Sequence, residues 1–205
     1  MLVAGCGEGH EAAFIQEQLG GEVDAIDLAP PGAAAPPGCR YRRASVLAPP
    51  FPPEVFDAIF YHHVIEHVGG VEAARTSLRR LWALLRPGGL IYVGTPNRHR
   101  LVGYVGSFDA TRREKVAWNL ADYRARLRGR FTNDDGAHAG FSRRELRDML
   151  RAAGFRGYRD LTADYLRFKY ASLPGVGLGA ATTLAEIAAP SIYAVATRPE
   201  EARGQ

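Results

Sequence analysis

Val3-Ala4-Gly5-Cys6-Gly7-Glu8-Gly9 decides the reading of this chain, together with Val23-Asp24-Ala25-Ile26-Asp27 just downstream. An apolar run from Leu2 to Ala4 has the length and composition of a buried strand, and it leads straight into three glycines spaced G-x-G-x-G. Glycines at such a strand-to-helix junction permit a tight backbone bend and let a ligand lie against the main chain. A dinucleotide fingerprint needs G-x-G-x-x-G, and His10 stands at its third glycine position. Asp27 closes the second predicted strand, Val23 to Asp27. A carboxylate at that edge can accept both hydroxyls of a ribose, so the pair of motifs points to a nucleoside-containing cofactor bound at the carboxyl ends of parallel strands.

Working outward, short β-type runs alternate with helical patterns, the signature of a mostly parallel sheet covered by helices. A helix is expected from about Glu8 to Leu19, stopped by Gly20-Gly21. A Pro/Ala/Gly loop then runs from Pro30 to Gly38, and a short strand is expected near Tyr41 to Ala44. Phe56 to Tyr61 reads as the fourth strand. Val71 to Arg86 reads as a helix with Leu78, Leu81 and Leu85 on one face, ended by Pro87-Gly88-Gly89 before a fifth strand at Leu90 to Gly94. A further helix is expected at Thr111 to Leu127. Ser142 with Glu145 three residues on forms a capping-box pattern for a helix that ends at Gly154. Phe155 to Leu161 and Ser191 to Thr197 read as the last two strands, with a long excursion between them.

Composition narrows the function classes. The 205 residues, 46% hydrophobic and 23% charged, suit one globular domain spanning 1–205. No stretch reads as a signal peptide or a transmembrane helix. Two cysteines, Cys6 and Cys39, are too few for a disulfide framework, so a cytoplasmic location is expected. The net charge is +4 with pI about 9.3, yet only Lys115 and Lys169 among the 26 basic residues are lysines. That Arg bias accompanies many Ala, Gly and Pro residues and is read as compositional, not as a nucleic-acid signature.

Four segments in family order now carry a resemblance: LVAGCGEG (2–9) with AIDL (25–28), FDAIFYHHVIEHV (56–68), LWALLRPGGLIYVGT (81–95) and HAGFSRRELRDMLRAAGF (138–155). Together they resemble the class I S-adenosylmethionine (SAM) dependent methyltransferases, nearest the branch that includes ubiquinone-biosynthesis O-methyltransferases. The resemblance implies a Rossmann-like α/β fold with a seven-stranded, mostly parallel sheet of strand order 3-2-1-4-5-7-6 and helices on both faces. The helix that usually precedes the first strand is expected to be missing.

By the same resemblance, Gly5, Cys6, Gly7 and Gly9 line the methionine end of SAM. Asp27 holds the ribose with Leu28 beside the adenine, Ser45, Val46 and Leu47 edge the adenine, and His62 contacts SAM beyond the fourth strand. Val3 and Ser45 depart from the family, which commonly has acidic residues at both positions. The implied reaction is methyl transfer from SAM to a small or medium-sized acceptor, an oxygen nucleophile on a metabolite or lipid-linked precursor. His63 and His138 are the candidate bases, since imidazole suits proton removal near neutral pH.

Other readings compete. His63-Val64-Ile65-Glu66-His67 matches an H-x-x-E-H zinc pattern, but it directly follows a buried strand and no third ligand region is evident, so no metal is expected. Segments 97–140 and 162–190 are expected as acceptor-side insertions. The first holds nine basic residues (Arg98, Arg100, Arg112, Arg113, Lys115, Arg124, Arg126, Arg128, Arg130) against five acids, which fits either an anionic acceptor or a solvated helix face. Trp118, Tyr123, Tyr165, Phe168 and Tyr170 could line an aromatic acceptor pocket or belong to a core. Peripheral membrane contact is compatible with this composition. A non-catalytic SAM-fold partner protein, an RNA or protein methyltransferase, and an NAD-dependent oxidoreductase are the alternative functions. Tyr61 to Val64 lacks the Asn/Asp-Pro-Pro-aromatic motif typical of base methylation.

Overall fold

The computed structural model describes residues 1–30, 38–100, 111–128, 139–169 and 189–200. Its strands are β1 (Leu2–Ala4), β2 (Val23–Asp27), β3 (Cys39–Arg43), β4 (Phe56–His62), β5 (Leu85–Pro96), β6 (Arg156–Asp160) and β7 (Ser191–Thr197). They form one seven-stranded sheet of order β3-β2-β1-β4-β5-β7-β6. Pairings from β3 through β5 are parallel, whereas β7 runs antiparallel to both β5 and β6. The expected strand order is thus observed. β2 and β3 lie to one side of β1, and β4 and β5 to the other. The topological switch falls between β1 and β4, where such sheets open a crevice for ligands.

Alternation along the strands divides the core into two layers. Leu2, Ala4, Ile59, Tyr61, Ile91 and Val93 pack with Leu78 and Leu81 of α2 (Val71–Leu84) and with Leu146 and Met149 of α4 (Arg143–Ala152). Val3, Val23 and Ala25 face the other way, onto Ala12 and Ile15 of α1 (His10–Leu19). Ser142 and Glu145 complete the capping box expected at the start of α4. The remaining helices are α3 (Arg112–Leu127) and α5 (Thr162–Lys169). Among the described residues no helix is long and apolar enough to cross a membrane.

Most boundaries shift by a residue or two from expectation, and the largest difference is where α2 meets β5. The helix expected to reach Arg86 stops at Leu84, and the next strand starts at Leu85, before the Pro-Gly-Gly turn. Pro87 disfavours helical geometry at Arg86, and Leu85 is already extended (φ −74°, ψ 142°). Val55 N–H donates to the Leu84 carbonyl at 2.9 Å, tying the segment that leads into β4 to the end of α2. Arg198, just past β7, locks this corner. It donates to the Leu85 carbonyl at 2.8 Å, pairs with Glu54 and lies 4.2 Å over the Trp82 ring.

Candidate functional site

The crevice is built where β1, β2, β4 and β5 end. The chain leaves β1 through Gly5, Gly7 and Gly9, all with positive φ (81°, 51° and 96°), and Gly9 begins α1 from a left-handed conformation. The Gly5 and Cys6 amides both donate to the Ile26 carbonyl, at 2.7 and 3.1 Å, which fastens this turn to the end of β2. Asp27 completes the clamp. Its Oδ2 accepts from Gly7 N–H at 2.8 Å and its Oδ1 from Ala29 N–H at 2.9 Å. Each carboxylate oxygen keeps a further lone pair for a ligand. A Cβ on Gly7 would meet nothing within 4 Å, so the turn presents bare backbone to open space.

Gly5 faces inward instead. A Cβ there would stand 2.2 Å from Val64 Cγ2, so the glycine turn packs directly on the turn that follows β4. Cys6 is buried, and burial with the nearby Asp27 charge pushes its thiol up to about 11. It is therefore a neutral packing group. Beyond Asp27, Leu28 is well exposed. Ser45 Oγ accepts from Leu47 N–H at 3.1 Å in the loop after β3, and Val46 beside it is buried in the core.

The second half of the site is the exit from β4. His62 ends that strand with Nδ1 3.4 Å from Glu11 of α1, while its buried Nε2 has no hydrogen-bond partner among the described residues. His63 adopts φ 54°, a left-handed conformation uncommon for a non-glycine residue, and donates its backbone N–H to the Gly94 carbonyl at 2.8 Å. Its Nδ1 lies 3.2 Å from Oε1 of Glu66. Glu66 is fully buried and takes a second hydrogen bond, from Thr95 Oγ1 to its Oε2 at 3.1 Å. On the far side of the ring, His63 Nε2 lies 3.4 Å from Ser191 Oγ at the start of β7. Tyr193 follows, packed 4.2 Å from the Tyr165 ring of α5, and burial raises its phenol.

This turn also bears on the zinc pattern. His63 and His67 do not share an α-helical face, because the chain passes from the left-handed His63 into a 3-10 turn at Ile65–His67. His138, the other candidate base, lies outside the described residues, as does Tyr170. Trp118 and Tyr123 are on α3 and 40% and 42% exposed, and Phe168 is 85% exposed; Tyr165 packs against Tyr193 of β7. Among the described residues, Arg98 and Arg100 of the nine basic residues expected near an acceptor are engaged internally. Arg98 pairs with Glu145 and donates to the Gly140 carbonyl, and the buried Arg100 pairs with Asp122 at 2.5 Å.

Read from sequence, Glu66 figures only in the H-x-x-E-H zinc pattern, and Thr95 and Ser191 have no role. The signal for Glu66 was in plain view, as the acid of His-x-x-Glu. Its partner Thr95 is 29 residues away, and Ser191 is 128 residues from His63, distances that only the sheet order bridges.

Residues 2–93 match a family model described as a methyltransferase domain. No curated protein sequence matches the chain. Among solved structures, a phosphoethanolamine N-methyltransferase 2 from Haemonchus contortus is similar with a TM-score of 0.60 at 16% identity, over 98% of this chain and 49% of that one. This chain therefore spans about half of that protein's length. The 1,6-didemethyltoxoflavin-N1-methyltransferase of Burkholderia thailandensis gives a TM-score of 0.58 at 21% identity, over 97% of this chain and 70% of that one. An S-adenosylmethionine dependent methyltransferase from Mesorhizobium loti gives 0.60 at 16%, over 96% and 90%. With this strand order, the chain shares the fold of these methyltransferases, and residues 2–93, from β1 into β5, are similar to a methyltransferase domain.

Proposed function

We propose that the chain binds SAM in the crevice between β1, β2 and β4 and directs methyl transfer to an oxygen nucleophile on a small or medium-sized metabolite or lipid-linked precursor, in the cytoplasm. The observation that carries the cofactor assignment is the Asp27 clamp: a carboxylate held by the Gly7 and Ala29 amides, with lone pairs left over, at the carboxyl end of β2 next to the β1 turn. Ribose hydroxyls would bind Asp27, and the amino-acid end would lie on the open backbone of Gly7. The adenine would rest between Leu28 and the Ser45–Leu47 loop. The unpartnered Nε2 of His62 offers a polar contact at the β4 edge.

Bound SAM would supply an activated sulfonium methyl, so the chain's own contribution is alignment and proton removal. His63 would take the acceptor proton on Nε2. Glu66 would be its positioning residue: with Nδ1 donating to the buried carboxylate, the neutral ring presents Nε2 as the acceptor nitrogen, and Thr95 fixes the carboxylate in turn. The strained backbone at His63 is of the kind that persists where surrounding contacts over-determine a functional residue. His138 is retained as a second candidate base. The acceptor would be selected by 97–140 and 162–190, with Tyr165 and Tyr193 as an aromatic wall.

Calorimetric titration with S-adenosylhomocysteine, SAM and NADH tests the assignment. Binding of the first two, weakened by about 1–3 kcal/mol in Asp27→Ala, is the expected result. Binding of NADH instead, or no binding by the folded protein, would overturn it. Cofactor binding without turnover across an acceptor panel would indicate a non-catalytic partner protein.

A further inference from the structure

α3 is amphipathic in the wrong sense for a helix that packs on a core. Val116, Leu120, Tyr123 and Leu127 follow at i, i+4, i+7 and i+11 and so form one stripe, and they are 61%, 52%, 42% and 86% exposed. The edge turned toward the rest of the molecule is polar. Lys115, Asn119 and Asp122 are its half-buried positions, and Asp122 is held by the buried Arg100 at 2.5 Å. Exposed apolar residues in a contiguous row mark an interaction surface.

Charge selects what it meets. Within RREKVAWNLADYRARL five basic residues face two acids, and Asp122 is already neutralised by Arg100. Exposed Arg113 and Arg124 border the stripe on one side, and exposed Arg112 continues it at the N-terminal end. A second copy of the chain would set this cationic helix against itself. An anionic surface would not, and basic residues around an apolar stripe with an aromatic in it are the pattern of helices that lie in a membrane interface. We propose that α3 is a membrane-surface helix whose Val116, Leu120, Tyr123 and Leu127 enter the interface of a bilayer carrying anionic phospholipid, with Arg112, Arg113 and Arg124 among the headgroups. The helix, roughly 24 Å long, would lie flat along the surface. The assignment depends on α3 alone and not on the cofactor.

Co-sedimentation of the full chain with vesicles of phosphatidylcholine, with and without phosphatidylglycerol, tests it. The wild type should bind the anionic vesicles about tenfold or more tightly than the neutral ones, and less so as salt rises. Leu120→Ser with Leu127→Ser, and separately Arg113→Glu with Arg124→Glu, should each weaken that binding by about tenfold or more. Unchanged circular dichroism and S-adenosylhomocysteine titration would show that both variants are folded. Equal binding to both vesicle types, no binding, or serine variants that bind as the wild type does would overturn the proposal. So would vesicle-free dimerisation that the serine pair abolishes, which would make the stripe a contact between copies.

Discussion

Replacing Gly5 with alanine probes how the two halves of the crevice are joined. The substitution has two separable costs. Gly5 sits at φ 81°, where an L-residue is strained by about 1–2 kcal/mol. Its new Cβ would also stand 2.2 and 2.8 Å from the two methyls of Val64, well inside the ~3.5–4.0 Å optimum for carbon contacts, and forced repacking of that kind costs about 1–3 kcal/mol. Gly5→Ala should therefore lower stability by about 2–5 kcal/mol in urea denaturation. Val64→Ala removes the methyls in the way at a cost of about 1 kcal/mol by itself. The double variant keeps the backbone strain and loses the clash. It should be more stable than the sum of the single effects predicts by about 1–3 kcal/mol. S-adenosylhomocysteine affinity should recover with it, because Val64 carries His63 and its neighbours. A Gly5→Ala protein within about 0.5 kcal/mol of wild type, or a strictly additive cycle, would refute the contact between the glycine turn and the β4 exit.

Glu66→Gln should leave S-adenosylhomocysteine affinity within about threefold of wild type while lowering turnover by tenfold or more, on the order of the 10²–10⁴ that positioned base catalysis supplies; equal loss in both would make Glu66 a structural residue only. Cys6, whose thiol is raised from 9.0 to about 11, should react with iodoacetamide on the order of a hundredfold more slowly than an exposed cysteine at pH 8, read by mass spectrometry. Because the folded thiol holds its proton where the unfolded one loses it, Cys6 contributes stability below about pH 9 that is lost as pH rises toward 11; Cys6→Ala should flatten that alkaline decline in urea midpoints. Arg198→Met should cost about 2–4 kcal/mol in urea, since it strands the Leu85 carbonyl and uncovers Trp82; a neutral result would show that the corner is held by β5–β7 pairing alone.

Features local in sequence were the legible ones. β1, β2 and β7 lie at their expected residues because each is a short apolar run with turn residues at its ends. The glycine turn and Asp27 were legible for the same reason: each announces its conformation within a few residues. The α2–β5 boundary was misplaced because Pro87-Gly88-Gly89 reads as a helix stop, although the proline acts one residue earlier, on Arg86. Arg98 and Arg100 read as free cations because their partners Glu145 and Asp122 lie 47 and 22 residues on. The periodicity of α3 was visible, but not which way it points. Apolar spacing fixes a stripe on a helix, whereas the direction it faces is set by tertiary contacts such as the Asp122–Arg100 pair.

The two halves of the crevice differ in how they are held, and this bears on where the proposed acceptor specificity could change. The side proposed to hold the cofactor is set by backbone: amides of Gly5, Gly7 and Ala29 meet the Ile26 carbonyl and the Asp27 carboxylate, all at the ends of parallel strands whose register is fixed by two-sided burial. The His63 side is set by side chains drawn from three elements, with Thr95 of β5 holding Glu66, Glu66 holding His63, and Ser191 of β7 on the opposite nitrogen. Substitution in the first half disturbs the sheet edge itself. Substitution at Ser191, half-buried at the mouth of β7, disturbs neither core layer. Ser191 is thus a position where the environment of His63 Nε2 can be altered without opening either core layer. Ser191→Ala should shift acceptor KM or turnover while the urea midpoint and S-adenosylhomocysteine affinity stay at wild-type values. A large loss of stability in that variant would show instead that the hydroxyl anchors β7 to the His63 turn.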